Sequence, residues 1–245
     1  MSITAAYEEL QDVNDASLAA EANGFEGIYE IKDAALYIKA TMTTPTPYGI
    51  TNRRLIRWIR KGLTLPALSS TPGPKLAISF EDLISLRVIA LLRASGIGFP
   101  KIYEAESWLR KETGARRPFA TEVVWTNSLE IFQLKGVDLI AASLGGQYAM
   151  RDLFESHLWP VSGLDFDDRK IAVAWNPASD IVLRPSIQFG EPCIVGTRIP
   201  TSAVWAMVKG GDSIEFLSES FGVEKTKLSH AIEWQERLEV VSAAA

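Results

Sequence analysis

Cysteine and histidine are scarce in this chain, and each scarcity removes a class of chemistry. Cys193 is the only cysteine among 245 residues, so neither an internal disulfide nor a multi-cysteine metal site can form. His157 and His230 stand apart, with no His-x-x-x-His pair and no Glu/His metal spacing. The phosphate-binding Gly-x-x-x-x-Gly-Lys sequence and the Gly-x-Ser-x-Gly nucleophile elbow are both missing. The longest apolar runs, such as Leu83 to Leu92, are broken by Ser85 and Arg87. They fall short of the roughly 18 to 20 apolar residues that span a bilayer. The N-terminus carries Glu8, Glu9 and Asp12 where a secretory leader would be basic and then apolar. These absences predict a cytoplasmic protein with no membrane span, metal, cofactor or catalytic activity. Cys193, between Pro192 and Ile194, reads as a small buried hydrophobe, and Asp165, Asp167 and Asp168 beside Gly163 read as a solvated turn.

What is present is an uneven charge. The chain has a net charge of −5, yet residues 51–117 alone carry 13 basic and 5 acidic groups. The segments 1–50, 118–189 and 190–245 are each net acidic. A positive block within an acidic chain is the electrostatic footprint of a phosphate-backbone binder. The nucleic-acid candidate is therefore the N-terminal half.

Residues 1–28 form an acidic arm, either a short helix or a mobile segment. Beyond it, Ile31, Ala34, Ala35 and Ile38 recur at helical spacing, and the stretch from Thr43 to Tyr48, with Pro45 and Pro47, ends that helix. Thr51 or Asn52 caps the next helix, which contains Arg53, Arg54, Arg57, Arg60 and Lys61 around apolar Leu55, Trp58 and Ile59. No acidic residue lies between Thr51 and Lys61 to form internal pairs, which favours contact with DNA over a merely solvated face. Arginines here suit phosphates and the O6 and N7 acceptors of guanine. From Leu63 to Ile78 the prolines and Gly73 predict a wing-like hairpin carrying Lys75 towards the DNA backbone. Ser79 and Asp82 have capping-box spacing and open a longer helix that Gly96 closes. A further helix runs from Phe99 to near Gly114.

This order of helix, basic helix, wing and two further helices resembles the DNA-binding domain of MerR-type regulators over roughly residues 29 to 114. Ile97-Gly98-Phe99-Pro100-Lys101-Ile102 is similar to that family's Gly-x-x-Leu-x-x-Ile turn, while Pro45-Thr46-Pro47 lengthens its tight first turn. The resemblance implies a winged helix-turn-helix over residues 29–117.

Residues 118–180 read as a β-rich linking module with an intervening helix, from runs such as Val123-Val124-Trp125, Ile131 to Leu134 and Ile171 to Trp175. Residues 181–245 then read as a strand, a corner and three helices: Thr201 to Lys209, Ser213 to Phe221, and Glu224 to about Glu239. The fold class is thus α+β and mainly helical. At the corner, Gly190, Pro192, Ile194, Gly196, Thr197, Arg198, Ile199 and Pro200 match every fixed position of Gly-x-Pro-x-Ile-x-Gly-Thr-Arg-Ile-Pro. That signature resembles the small bacterial domain numbered 433 among the domains of unknown function, found in antitoxins of the VapB type. Arg198 either pins the corner through a carboxylate or points outward as a contact, and the Thr197 and Thr201 hydroxyls are expected to cap the turn and the helix.

The three-helix unit could itself be a helix-turn-helix, but residues 201–245 hold four basic groups against seven acidic ones, a poor surface for a polyanion. Protein contact is the better expectation, with Trp205, Phe216 and Trp234 as apolar anchors. The VapB resemblance implies an antitoxin that binds double-stranded operator DNA, represses its own operon and neutralises a PIN-like ribonuclease toxin. A homodimer is expected independently, because twofold symmetry lets two short helices read successive half-sites. The alternatives are a MerR-like regulator sensing a small ligand without a toxin, and a purely protein-binding adaptor.

Overall fold

A central helix with almost no solvent-facing side organises the first core. The computed structural model describes residues 28–42, 49–60, 77–94, 96–122 and 163–243. Strand β1 (Tyr29–Glu30) leads into α1 (Ile31–Ala40), followed by α2 (Asn52–Arg60), β2 (Ala77–Ile78), α3 (Phe80–Ala94) and α4 (Phe99–Thr113). Along α1, Ile31, Ala34, Ala35 and Ile38 are all buried, as their spacing requires. The Thr41 hydroxyl closes that helix by donating toward the Tyr37 and Ile38 carbonyls, at 3.2 and 3.0 Å. Helix α3 starts in a reciprocal capping box: Ser79 N–H donates to Asp82 Oδ2 and Asp82 N–H to Ser79 Oγ, both at 3.2 Å. Phe80 and all of Asp82 through Leu92 are buried, polar Ser85 and Arg87 among them. Asp82 also accepts from the Arg117 guanidinium, a buried ion pair that ties the end of this half to the start of α3.

The sheet follows a 3-10 turn at Pro118–Ala120. Its strands are β3 (Leu164–Phe166), β4 (Ala172–Ala178), β5 (Ile181–Leu183) and β6 (Cys193–Ile194), antiparallel throughout and in that spatial order. Asp180 takes a left-handed conformation (φ 56°) in the short turn joining β4 to β5, a place where aspartate is tolerated better than most residues. Helices α5 (Thr201–Lys209), α6 (Ile214–Phe221) and α7 (Lys225–Ala243) complete the chain. Ser213 caps α6 by accepting from Phe216 N–H at 3.2 Å.

Two cores result. The first gathers α1 to α4 and also takes in Ala172, Trp175 and Leu183 from the sheet. The second gathers Ile181, Ile194, Val204, Leu217, Leu228, Ala231, Trp234 and Leu238. Position 180, the expected boundary, therefore falls in a hairpin turn of one continuous sheet. Helix α1 belongs to both halves: Ala40 sits in the second core, the Tyr37 and Trp234 ring centroids are 6.3 Å apart, and Lys39 Nζ donates to Val241 O at 2.9 Å.

The described elements are mixed helix and sheet, with seven α-helices and two small sheets, and helix dominates. Of the expected wing only its last residues are described. Ala77 and Ile78 pair antiparallel with Glu30 and Tyr29, a strand that two residues of sequence could not announce. The acidic arm through residue 27, Pro45-Thr46-Pro47, Lys61, the wing tip with Lys75, the runs at 123–125 and 131–134, and His157 lie outside the described residues. Helix α7 extends to Ala243, four residues past the expected end. No helix among the described residues is long and apolar enough to cross a membrane.

Candidate nucleic-acid interface

Helix α2 is held by one face and leaves the other to solvent. Thr51 accepts the Arg54 N–H at its hydroxyl (3.3 Å) and the Leu55 N–H at its carbonyl (3.0 Å), which fixes the helix start. Leu55, Trp58 and Ile59 are buried, and the Trp58 ring meets Phe99 of α4 edge-on, with centroids 5.4 Å apart. Thr51, Asn52, Arg53 and Arg57 are exposed. Arg53 and Arg57 are four residues apart and so share one ridge of the helix, and among the described residues neither has an ion-pair partner. Arg54 has a different role. It is half-buried, and its guanidinium donates to the Gly49 carbonyl, bracing the approach to the helix. Arg60 occupies the last turn. The α2 surface therefore offers fixed positive charge, unneutralised by any acid of its own helix, next to a helix N-terminus.

The glycine-proline corner is built almost entirely from its own backbone. Ile194 N–H donates to Ile199 O, Thr197 N–H to Ile194 O, and Thr201 N–H to Pro192 O, at 3.0, 3.0 and 2.9 Å. Thr197 Oγ1 bridges the turn, donating to Ile194 O and accepting from Ile199 N–H. Two glycines adopt positive φ for different reasons. Gly196 (φ 82°) has open space around it, whereas Gly190 (φ 89°) lies where any Cβ would overlap the buried Tyr29 ring. The corner is thereby clamped onto the strand that precedes α1. Pro192 and Cys193 are buried, and Pro200 occupies the position before α5. Arg198 points into solvent without a carboxylate partner among the described residues, while its carbonyl accepts from Gln188 Nε2 at 3.1 Å.

Two expectations for this region need correction. Thr201 is fully buried and accepts from Gln235 Nε2 at 2.7 Å, so it joins α5 to α7, and α5 has no side-chain cap. Trp234 is 1% exposed at the centre of the second core, so its ring is no anchor for a partner. Phe216 is 56% exposed. Trp205 is half-buried, with its indole N–H on Glu239 Oε1 (2.9 Å) and Lys209 Nζ 4.7 Å from its ring centroid.

Asp167 accepts from the backbone N–H groups of Arg169 and Ile171, and Asp165 pairs with Arg184, so these two carboxylates of the acidic cluster are used in local structure. Among the described residues no group of three or more His, Cys, Asp or Glu side chains is arranged to hold a metal. Burial, with Glu191 adding to it against Arg198, pushes the Cys193 thiol up to about 11. Folded protein at pH 7.5 is therefore expected to resist iodoacetamide and to be alkylated once only after unfolding in guanidinium, read by intact mass.

Residues 181–234 match the model of a family described as "Protein of unknown function (DUF433)". The chain is similar in fold to the X-ray crystal structure of Rv2018 from Mycobacterium tuberculosis, with a TM-score of 0.62 and 19% identity. That similarity covers 83% of this chain and 96% of the other. No curated protein matches the chain in sequence at a significant level. The C-terminal region, from β5 to Trp234 of α7, thus carries the DUF433 pattern that the corner signature announces.

Proposed function

We propose that this protein is a DNA-binding antitoxin of the VapB type. In this reading it represses its own operon through α2 and the wing, and it neutralises a PIN-like ribonuclease by direct binding. The carrying observation is the solvent-facing pair Arg53 and Arg57 on a helix without acids, seated against α1 and α4 by its apolar side. Such a ridge suits phosphate and guanine contacts, whereas the acidic surface of α5 to α7 suits a protein partner. Twofold association would set two α2 helices about one DNA turn apart.

The test uses the purified full chain and duplex DNA from upstream of its own gene. Specific retention is expected, with log affinity falling against log salt at about −0.9 per phosphate neutralised. Co-expression with the neighbouring reading frame is expected to yield a complex in which a ribonuclease is inactive. DNA retention that depends on a small ligand, with no nuclease bound, would favour the ligand-sensing regulator. Failure to retain any upstream duplex at low salt would remove the DNA-binding reading.

A further inference from the structure

Arg87 is a buried cation without a counter-charge among the described residues. It lies on α3, 2% exposed, where the end of α1 and strand β4 converge. Its Nε donates to Thr41 Oγ1 at 3.2 Å, and its guanidinium carbon stands 4.7 Å from the centroid of the Trp175 ring. Its Nη1 is buried with no hydrogen-bond partner, and no carboxylate pairs with it among the described residues. The same core treats its other buried guanidinium differently, since Arg117 is paired with Asp82. A buried ion left uncompensated is costly, and a buried donor left unpaired adds to that cost. An apolar side chain of similar length would avoid both.

We propose that Arg87, with Thr41 and Trp175, forms the cationic end of a binding site for a small oxyanion, a carboxylate or a phosphate. The guanidinium is a planar fork suited to two-point contact with either group. Thr41 fixes the fork through Nε, Trp175 supports its face, and Nη1 and Nη2 are the two donors left to offer. Burial pushes the Arg87 guanidinium down to about 9. An anion bound there would join the end of α1 to β4, and so join the DNA-reading helices to the sheet that carries the corner. The site does not depend on the antitoxin reading, because it requires neither DNA nor a toxin.

The experiment is calorimetric titration and thermal melting of the full chain with inorganic phosphate and with malonate, against chloride at constant ionic strength. One-to-one binding of at least one of the two is expected, and comparing them separates a phosphate site from a carboxylate site. At a hundredfold excess over Kd the melting point should rise by about 5 °C. R87K, which keeps the charge and loses the fork, should bind at least about tenfold more weakly. R87M should lose the anion response and, in chloride, melt no lower than the native chain. Three results would each overturn the site: neither anion bound by the native protein, affinity unchanged in R87K, or R87M melting well below native in chloride.

Discussion

Reversing the charge of Arg53 and Arg57 together is expected to weaken retention of upstream duplex by about 10² to 10³-fold at fixed salt, with the melting point nearly unchanged. Both side chains are exposed and without ion-pair partners among the described residues, so their replacement removes no packing and breaks no bond. Surface changes of this kind stay within about 0.5 kcal/mol of neutral. For DNA the arithmetic differs. A good arginine contact discriminates by about 1 to 3 kcal/mol, and tenfold in affinity corresponds to about 1.4 kcal/mol, so removing two of them reaches the stated range. Glutamates would add repulsion, and the slope of log affinity against log salt should fall by about one for each phosphate that is no longer neutralised. Arg54→Ala is the informative control. Because Arg54 braces Gly49, its loss should lower the melting point as well as the affinity. Unchanged retention by the R53E/R57E double variant, measured by mobility shift, would assign α2 an ordinary solvated face.

Gly190→Ala is expected to destabilise the fold by about 3 kcal/mol, lowering the melting point by roughly 6 to 12 °C. Two effects combine there. Gly190 has φ 89°, a conformation strained for any L side chain, and its Cβ would overlap Tyr29 Oη and come within 2.6 Å of Cζ. Tyr29 has little room to retreat, being 3% exposed with its ring 6.3 Å from that of Phe80. Gly196→Ala separates the effects, since its φ is 82° but nothing lies within 4 Å of the added carbon. That variant should lose only the conformational part, about 1 to 2 kcal/mol. Adding Tyr29→Phe to Gly190→Ala removes the nearest atom and should recover part of the loss, not all, because Cζ remains. Thermal melts of the three variants decide the matter: G190A no worse than G196A would mean that the corner does not rest on Tyr29.

The helices were legible because their signals are local. Apolar spacing at Ile31, Ala34, Ala35 and Ile38, the Ser79–Asp82 capping box and the glycine at 114 each act within a few residues of where they stand. Their outcomes appear at those positions. The corner was legible for a related reason, since two prolines fix φ and two glycines admit the positive φ of a tight turn, whatever surrounds them. Burial was less legible. Trp205, Phe216 and Trp234 are all aromatic and all lie on α5 to α7, yet only Trp234 fills the core. Which side of a helix is covered depends on the elements that pack against it, and those come from elsewhere in the chain.

Sequence by itself determined where most of the described helices lie, that the positive charge is concentrated in residues 51–117, and that the C-terminal region carries the DUF433 pattern. These depend on backbone preference, periodicity and composition, which are properties of adjacent residues. Only the tertiary structure decided that Arg54 is spent on Gly49 while Arg53 and Arg57 stay in solvent. It also decided that Gly190 is required by Tyr29, more than 150 positions earlier, and that Arg87 is buried between Thr41 and Trp175 with no acid paired to it among the described residues. The physical reason is common to all three. The energy of a charge, or of a missing side chain, depends on the groups folding brings within a few ångströms of it, and none of those neighbours is encoded at the position itself.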